Sequence, residues 1–180
     1  MDRIRIQPIP AFSDNYVWML TDGKRAVVVD PGVAAPVLKV LDEQQLELSA
    51  VLLTHLHYDH NRGVPGLLER WQVSVFGPLL NEHDRVSHPP FPEPGTVPLD
   101  CVTHVVGEGD TVVLDALETK LSVLAVPGHT KGHIIFLDRQ RDWLFTGDTL
   151  FGAGCGKVFG GSMQAFLEEC VQAMNARWSG

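Results

Sequence analysis

Three histidines and one aspartate lie close together in a short segment that directly follows an apolar run. The segment is HLHYDH, which carries His55, His57, Asp59 and His60. Imidazole nitrogens and carboxylate oxygens are ligands that zinc and iron accept in proteins. A single histidine at a strand end is usually solvated or hydrogen-bonded, whereas four such groups after a buried strand favour a metal site. An extended segment would put alternate residues on one face, and a turn would instead arrange them around a point.

Two further segments each present one candidate ligand in a turn. His129 lies in AVPGHTKGH and Asp148 lies in LFTGDTL, and in both segments an apolar run and a glycine precede the ligand. Glycine lets the backbone approach its neighbours closely. An isolated aspartate in such a turn could simply be a turn or capping residue. Together with the histidine cluster, Asp148 is interpreted as a bridge between metal ions.

The first half of the chain alternates strand-like runs with turn signals. RIRIQPI, NYVWML, RAVVVD, SAVLLTH and VSVFG have the apolar patterns of strands, and Asp22-Gly23 predicts a hairpin turn. Apolar spacing predicts an amphipathic helix over residues 35–46 and a short helix over residues 63–71. The predicted strands would therefore carry the first candidate ligands at their ends.

The second half repeats the pattern of strands followed by a helix. THVV, DTVVL, KLSVLAV, HIIFLD and DWLFTGD are predicted strands, and Met163 to Trp178 is a predicted helix with Ser162 as its N-cap. The proline-rich residues 87–98 predict an irregular connector between two halves of one domain, which spans residues 1–180. These elements predict two packed sheets flanked by helices, an α/β fold.

Composition argues against several classes of partner. The formal net charge of −8 disfavours binding to nucleic acid or to an anionic membrane. No apolar stretch approaches the length of a membrane span, and the N-terminal residues lack the apolar region of a signal peptide. The three cysteines form no C-x-x-C pair, which favours a reduced, cytoplasmic chain. We expect a monomer or a weak homo-oligomer.

The segments THLHYDH, PGHTKGH and TGDTLF resemble the metallo-β-lactamase superfamily, whose signature is H-x-H-x-D-H with a later histidine and a later aspartate. PIPAFSDNYVWML and GDTLFGAGCGKVF narrow the resemblance to glyoxalase II, the hydroxyacylglutathione hydrolases, in their bacterial form. The resemblance implies the αββα sandwich of the metallo-β-lactamase fold. It also implies two divalent metal ions as cofactors, with zinc expected and iron or manganese as alternatives.

The resemblance assigns a role to each candidate residue. One metal would be held by His55, His57 and His129, the second by Asp59 and His60, and Asp148 would bridge the two. Asp59 would also be catalytic, because it would orient the attacking hydroxide. Asp30 and His133 would support the ligands from behind, whereas Lys157 and Phe159 match substrate-binding positions.

The implied reaction is the hydrolysis of a glutathione thioester, S-(2-hydroxyacyl)glutathione such as S-lactoylglutathione, by a metal-bound hydroxide. The leaving thiolate has a conjugate acid with a pKa of roughly 8.5, so that a strong general acid is not needed. No nucleophilic serine or cysteine is required.

The sequence departs from the family after the predicted helix at Met163 to Trp178. The family continues there with a strand that ends in a GHEYT-like motif and with a small helical substrate domain, so we expect this chain to be C-terminally short and its second metal site to be weak. Two alternatives stay open. One is another enzyme of the fold, either a lactamase-like hydrolase or a mononuclear-iron sulfur dioxygenase. The other is a truncated, non-catalytic metal-binding protein.

Overall fold

Six strands form the first sheet in the computed structural model, which describes residues 4–80, 101–158 and 163–176. In spatial order they are β1 (Arg5–Ala11), β2 (Asn15–Thr21), β3 (Arg25–Val29), β4 (Glu47–Leu52), β5 (Ser74–Gly77) and β6 (His104–Val105). The pairs β1–β2 and β2–β3 are antiparallel, and the pairs from β3 to β6 are parallel. The carboxyl ends of β3 and β4 therefore lie side by side at one edge of the molecule.

Helices connect the parallel strands. These are α1 (Ala34–Gln44), between β3 and β4, and α2 (Tyr58–Asn61) and α3 (Val64–Leu68), between β4 and β5. The predicted helix over residues 35–46 is thus confirmed, and it ends where Gln45 turns left-handed with φ 55°. The predicted helix over residues 63–71 is confirmed as the shorter α3.

The predicted hairpin turn at Asp22-Gly23 is also present. Gly23 has φ 89°, a conformation that suits glycine. The Asp22 carboxylate oxygen Oδ1 accepts the backbone N–H groups of Lys24 at 2.8 Å and of Arg25 at 2.7 Å. These bonds fix the register in which β2 and β3 pair.

The second sheet is antiparallel throughout. It has the order β10 (Trp143–Phe145), β9 (Ile134–Asp138), β8 (Thr119–Ala125) and β7 (Thr111–Leu114). The run THVV was predicted to belong to this later series of strands. It instead forms β6, which pairs in parallel with β5 of the first sheet, because strand pairing depends on contacts between distant residues that a local pattern does not encode.

The hydrophobic core has two layers, one on each side of the first sheet. Between the sheets, Leu52 and Val29 meet Val123 and Phe136 of the second sheet. The opposite face of the first sheet packs on the helices, with the following buried residues in contact: Val28, Val51, Val37, Leu41 and Leu67. Strands β3 and β4 are thus covered on both faces, which explains their nearly continuous apolar sequences.

The last helix of the described chain, α4 (Met163–Ala176), lies against the second half. Its fully buried Phe166 packs directly over Gly128, where a side chain would leave it no room. The layers are helix, sheet, sheet and helix, which confirms the predicted αββα sandwich. Residues 87–98, Ser162 and Trp178 lie outside the described residues. None of the described helices is long and apolar enough to cross a membrane.

Candidate metal centre

The segment after β4 bends into a single helical turn, so that the H-x-H-x-D-H ligands are arranged around a point and do not lie along one extended face. His57 has extended angles, φ −67° and ψ 150°, and begins α2, which then carries Asp59 and His60. The backbone of α2 lies directly on Gly32, where an added Cβ would collide with the carbonyl group of Asp59. The Pro31-Gly32 turn after β3 therefore lets α2, which carries Asp59 and His60, approach the first sheet.

Three histidines form the first ligand group. His55, His57 and His129 are buried, and one ring nitrogen from each lies within 4.8 Å of the others. The closest approach is 2.9 Å, between His129 Nε2 and His57 Nδ1. The His55 ring centroid lies 4.7 Å from that of His57 and 4.8 Å from that of His129, edge to face in both pairs. A tetrahedral metal could be held by three such nitrogens.

A second group shares one histidine with the first. His55, His60 and Asp148 each offer one ligand atom within 4.8 Å of the other two. The two carboxylate oxygens of Asp148 face different histidines, since Oδ1 lies 3.2 Å from His60 Nε2 and Oδ2 lies 3.2 Å from His129 Nε2. Asp148 therefore stands between the two groups, as a bridging ligand would.

Asp59 lies at the edge of the second group. Its Oδ2 atom is 3.4 Å from His60 Nε2 and accepts a hydrogen bond of 3.0 Å from the side-chain amide of Asn15. Burial raises the pKa of Asp59, but the contact with His60 and the bond from Asn15 outweigh burial and lower it from the ordinary value of 3.8. Sequence reasoning did not single out Asn15, because its partner is far along the chain.

Contacts on the far side of the ligands orient them. Asp30, in the left-handed region with φ 53°, places its Oδ2 atom 3.1 Å from His60 Nδ1. The Lys157 carbonyl oxygen lies 2.6 Å from His129 Nδ1. Because a carbonyl can only accept, His129 carries its proton on Nδ1 and directs the Nε2 lone pair toward the cluster.

His133 supports the turn that carries Asp148. Its ring is fully buried and stacks on that of His55 with centroids 4.7 Å apart. Its Nε2 atom lies 3.3 Å from the backbone nitrogen of Asp148, which donates to it, and its Nδ1 atom lies 3.3 Å from the Thr149 hydroxyl. His133 is thus placed behind the ligands and outside both groups.

The pKa values of His55 and His60 are shifted in opposite directions. Burial, and then the charge of neighbouring histidines, lowers the pKa of His55 well below 6.5. Burial also lowers the pKa of His60, but Asp30, Asp148 and Asp59 outweigh burial and raise it well above 6.5. Burial raises the pKa of Asp148, but the contact with His60 outweighs burial and lowers this pKa below 3.8. The carboxylates of Asp30, Asp59 and Asp148 attract a cation to the neighbourhood of His60. A divalent metal would take the place of the His60 proton.

Two buried polar atoms indicate that the residues fit a metal. His55 Nε2 is buried and has no hydrogen-bond partner among the described residues. His60 Nε2 is also buried and lies near the carboxylates of Asp59 and Asp148 without forming an aligned hydrogen bond. Buried polar atoms of this kind are rare in proteins and costly. A cation bound between the two groups would satisfy them, and this mixture of nitrogen and oxygen ligands is compatible with divalent metals.

The glycine-rich segment before Lys157 packs on the centre. A Cβ added at Gly156 would lie 2.8 Å from the Asp148 Cβ atom and 2.8 Å from His129 Nδ1, so only glycine fits there. The Lys157 side chain is exposed at this rim. Phe159, the other predicted substrate-binding residue, lies outside the described residues.

Comparison with known proteins places this geometry in a family. A sequence model of the Metallo-beta-lactamase superfamily matches residues 11–174. Proteins named hydroxyacylglutathione hydrolase are similar as well. The protein from Nitrosomonas europaea is 39% identical over 92% of this chain and 56% of its own length. The protein from Aliivibrio salmonicida is 45% identical over 88% of this chain and 56% of its own length. This chain thus spans little more than half of these curated relatives.

Solved structures share the fold. The BLEG-1 B3 metallo-beta-lactamase superposes with a TM-score of 0.74 and 25% identity over 92% of this chain and 83% of that one. The ETHE1 protein from Myxococcus xanthus gives a TM-score of 0.68 and 28% identity over 92% of this chain and 67% of that one. A di-iron-bound form of TTHA1623 gives a TM-score of 0.71 at 24% identity over 94% of this chain and 86% of that one.

Proposed function

This chain belongs to the metallo-beta-lactamase superfamily, and we propose that it is a glyoxalase II-type enzyme, a metal-dependent hydrolase of S-(2-hydroxyacyl)glutathione. The products would be glutathione and the hydroxy acid. The relatives named hydroxyacylglutathione hydrolase support this substrate class. The geometric observation that carries the proposal is Asp148, whose two oxygens face one histidine of each ligand group.

The proposal assigns two metals, with zinc as the expected ion, to the two overlapping groups. His55, His57 and His129 would hold the first metal, Asp59 and His60 the second, and Asp148 both. Paired divalent metals supply Lewis acidity and lower the pKa of a coordinated water toward neutral. Two groups that share a ligand support a two-metal enzyme over the alternative with a single iron.

Asp59 would act on the attacking water. Asn15 holds the Asp59 Oδ2 atom at 3.0 Å, which fixes the carboxylate beside His60. A carboxylate held in this position can accept a hydrogen bond from the water and orient it toward the thioester carbonyl carbon. We therefore assign Asp59 as ligand and orienting residue, with Asn15 as the group that positions it.

Lys157 would bind the substrate. Its side chain is exposed at the rim while its carbonyl oxygen contacts His129. An ammonium group at this place suits a carboxylate of glutathione. The thiolate of glutathione can leave without a strong acid, because the pKa of its conjugate acid is roughly 8.5.

The cellular setting is part of the same proposal. The sequence has three cysteines and no C-x-x-C pair, a usage that favours a reduced cytoplasm. There the enzyme would act in methylglyoxal detoxification, as a monomer or weak homo-oligomer. The net charge of −8 disfavours nucleic acid and anionic membranes as partners.

Hydrolysis of S-D-lactoylglutathione by the purified, zinc-loaded chain tests the proposal. We expect turnover in the wild-type chain, and turnover reduced to background in His57→Ala because the first metal loses one of its three nitrogens. His104→Ala is the matched control, since His104 is an exposed histidine on β6. Hydrolysis that is absent in the wild type, or unchanged in His57→Ala, would contradict the proposal and favour a non-catalytic metal-binding protein.

A further inference from the structure

Thr54 stands between the end of β4 and the first ligand, His55, and its side chain is fully buried. Its hydroxyl oxygen lies 2.7 Å from Asp30 Oδ2 and 3.1 Å from His55 Nδ1. Its backbone N–H also donates to Asp30 Oδ1, at 2.8 Å. Thr54 therefore connects a buried carboxylate to a ligand histidine through one oxygen atom.

The number of protons decides the direction of these bonds. A carboxylate only accepts, and a threonine hydroxyl has a single proton to donate. The 2.7 Å distance from Thr54 Oγ1 to Asp30 Oδ2 falls in the range of about 2.5–2.7 Å expected for a hydroxyl that donates to a carboxylate. The Thr54 oxygen is then left to accept, so His55 must carry its ring proton on Nδ1 and its lone pair on Nε2.

We propose that Thr54 is a positioning residue that fixes the tautomer of His55, so that the Nε2 lone pair is available to a metal. The buried Nε2 atom of His55, which has no hydrogen-bond partner among the described residues, is where this lone pair lies. His55 is one of the three histidines of the first ligand group. The effect of Thr54 therefore falls on the first metal of the proposed function, on which this inference rests.

The surroundings hold the threonine in place. The Thr54 carbonyl oxygen accepts the N–H of Ile134 at 2.9 Å, which ties the end of β4 to the start of β9. The hydroxyl lies against Gly147, where an added Cβ would be 2.9 Å from the Thr54 Cβ atom. Gly147 also has φ 48°, so a glycine is required there by conformation as well as by space. The hydroxyl is thus enclosed on the side away from Asp30 and His55.

The histidines of the centre reach their outer contacts in different ways. His129 faces a backbone carbonyl oxygen, that of Lys157, and His60 faces Asp30 directly. His55 reaches Asp30 only through the hydroxyl of Thr54. A substitution at position 54 can therefore remove this contact of His55 and leave the backbone contact of His129 intact.

Nitrogen NMR of the histidine rings in the metal-free, full-length chain tests the tautomer directly. We expect the His55 proton on Nδ1 in the wild type and in Thr54→Ser, which keeps the hydroxyl. In Thr54→Val, which has nearly the same shape without the hydroxyl, this preference should be lost. A wild-type His55 that carries its proton on Nε2 would overturn the proposal without any variant having to fold.

Zinc affinity, measured by competition with a chelator, tests the consequence. Loss of an outer contact to a ligand typically weakens metal binding by about 10- to 100-fold, and we expect this for Thr54→Val, with affinity restored in Thr54→Ser. The matched control is Thr119→Val, because Thr119 is another buried threonine whose hydroxyl donates to an aspartate, Asp138, at 3.2 Å.

Two results would overturn the proposal: wild-type affinity in Thr54→Val, or an equal loss of affinity in Thr119→Val. The second would mean that any buried threonine hydroxyl matters through stability alone. A wild-type chain that binds no zinc would instead overturn the proposed metal centre, and the tautomer measurement would still decide the role of Thr54.

Discussion

Two buried aspartates, each paired with a buried threonine, lie at opposite ends of the sandwich. Asp30 accepts from the hydroxyl of Thr54, and Asp138 accepts from the hydroxyl of Thr119. Strand β9 links the two ends, since it begins at Ile134, which bonds to Thr54, and finishes at Asp138.

The two pairs differ in the third residue that each of them contacts. At the distal end it is Arg141, whose Nη1 atom lies 2.7 Å from both Asp138 Oδ2 and Thr119 Oγ1. Asp138 also accepts the backbone N–H groups of Gln140 and Arg141. Arginine only donates and stays charged, so its Nη1 atom pairs both the carboxylate and the hydroxyl oxygen of this cluster within the protein.

At the end that carries Asp30 and Thr54, the third residue is His55, which contacts the threonine hydroxyl. An imidazole that donates through one nitrogen keeps a lone pair on the other, and for His55 that second nitrogen is buried with no partner among the described residues. The same aspartate–threonine pair therefore lies in a closed cluster beside arginine and in an open cluster, the proposed metal centre, beside histidine.

Removal of the shared histidine should have the largest effect. We expect His55→Ala to reduce the bound zinc from two ions per chain to one at most, because the first metal loses one of its three nitrogen ligands. The zinc content of the purified variant, measured by elemental mass spectrometry, checks this. His60→Ala should lose only the second ion, and two ions retained in His55→Ala would contradict the assignment of His55 to the first metal.

Removal of Arg141 should lower the stability of the fold but leave zinc binding intact. We expect Arg141→Ala to lower the free energy of unfolding by about 3–5 kcal/mol, since it leaves the fully buried Asp138 carboxylate without its charged partner. Urea denaturation of the metal-free chain measures this loss. The folded variant should still bind two zinc ions, and a loss of zinc in proportion to the loss of stability would erase the distinction between the two clusters.

Neutralising Asp30 and Asp138 separately tests whether only the open cluster affects zinc binding. We expect Asp30→Asn to weaken zinc binding by about 10- to 100-fold, because the outer contacts of Thr54 and His60 are lost together. Asp138→Asn is the matched change in the closed cluster and should leave zinc affinity unchanged. Chelator competition on both variants at one pH decides between these outcomes, and equal affinities would contradict the role given to Asp30.

A third aspartate, partly buried in a turn, should show the smallest effect. Burial raises the pKa of Asp22, but the hydrogen bonds from the Arg25 and Lys24 backbone and from the Arg25 side chain together outweigh burial and lower it below 3.8. A lowered folded-state pKa contributes stability above the unfolded value and loses it as the pH falls through the folded value. Asp22→Ala should therefore cost about 1 kcal/mol near neutral pH and progressively less below pH 3.8. Urea denaturation across that range checks it, and a cost independent of pH would show that the charge is not involved.

The candidate ligands could be found from the sequence because each follows an apolar run, which is a local feature. His55, His129 and Asp148 all lie at such places, after β4, β8 and β10. The αββα layering was predictable for the same reason, since apolar periodicity marks the strands and helices. What the pattern could not assign was the sheet to which β6 belongs.

The residues that orient the ligands could not be predicted. Thr54 is an ordinary residue at a strand end, and its importance comes from Asp30, which is 24 positions away. Asn15 bonds to Asp59 across 44 positions. Gly156 is one of several glycines in its segment, and only the packing of Asp148 and His129 against it distinguishes it. Such contacts depend on the folded arrangement of distant segments.

We propose that the open cluster holds two metal ions, and anomalous diffraction from crystals of the zinc-loaded chain tests this most directly. We expect two peaks about 3.5–4 Å apart, one among His55, His57 and His129 and the other beside His60 and Asp148. A single peak, or none within this cluster, would contradict the claim.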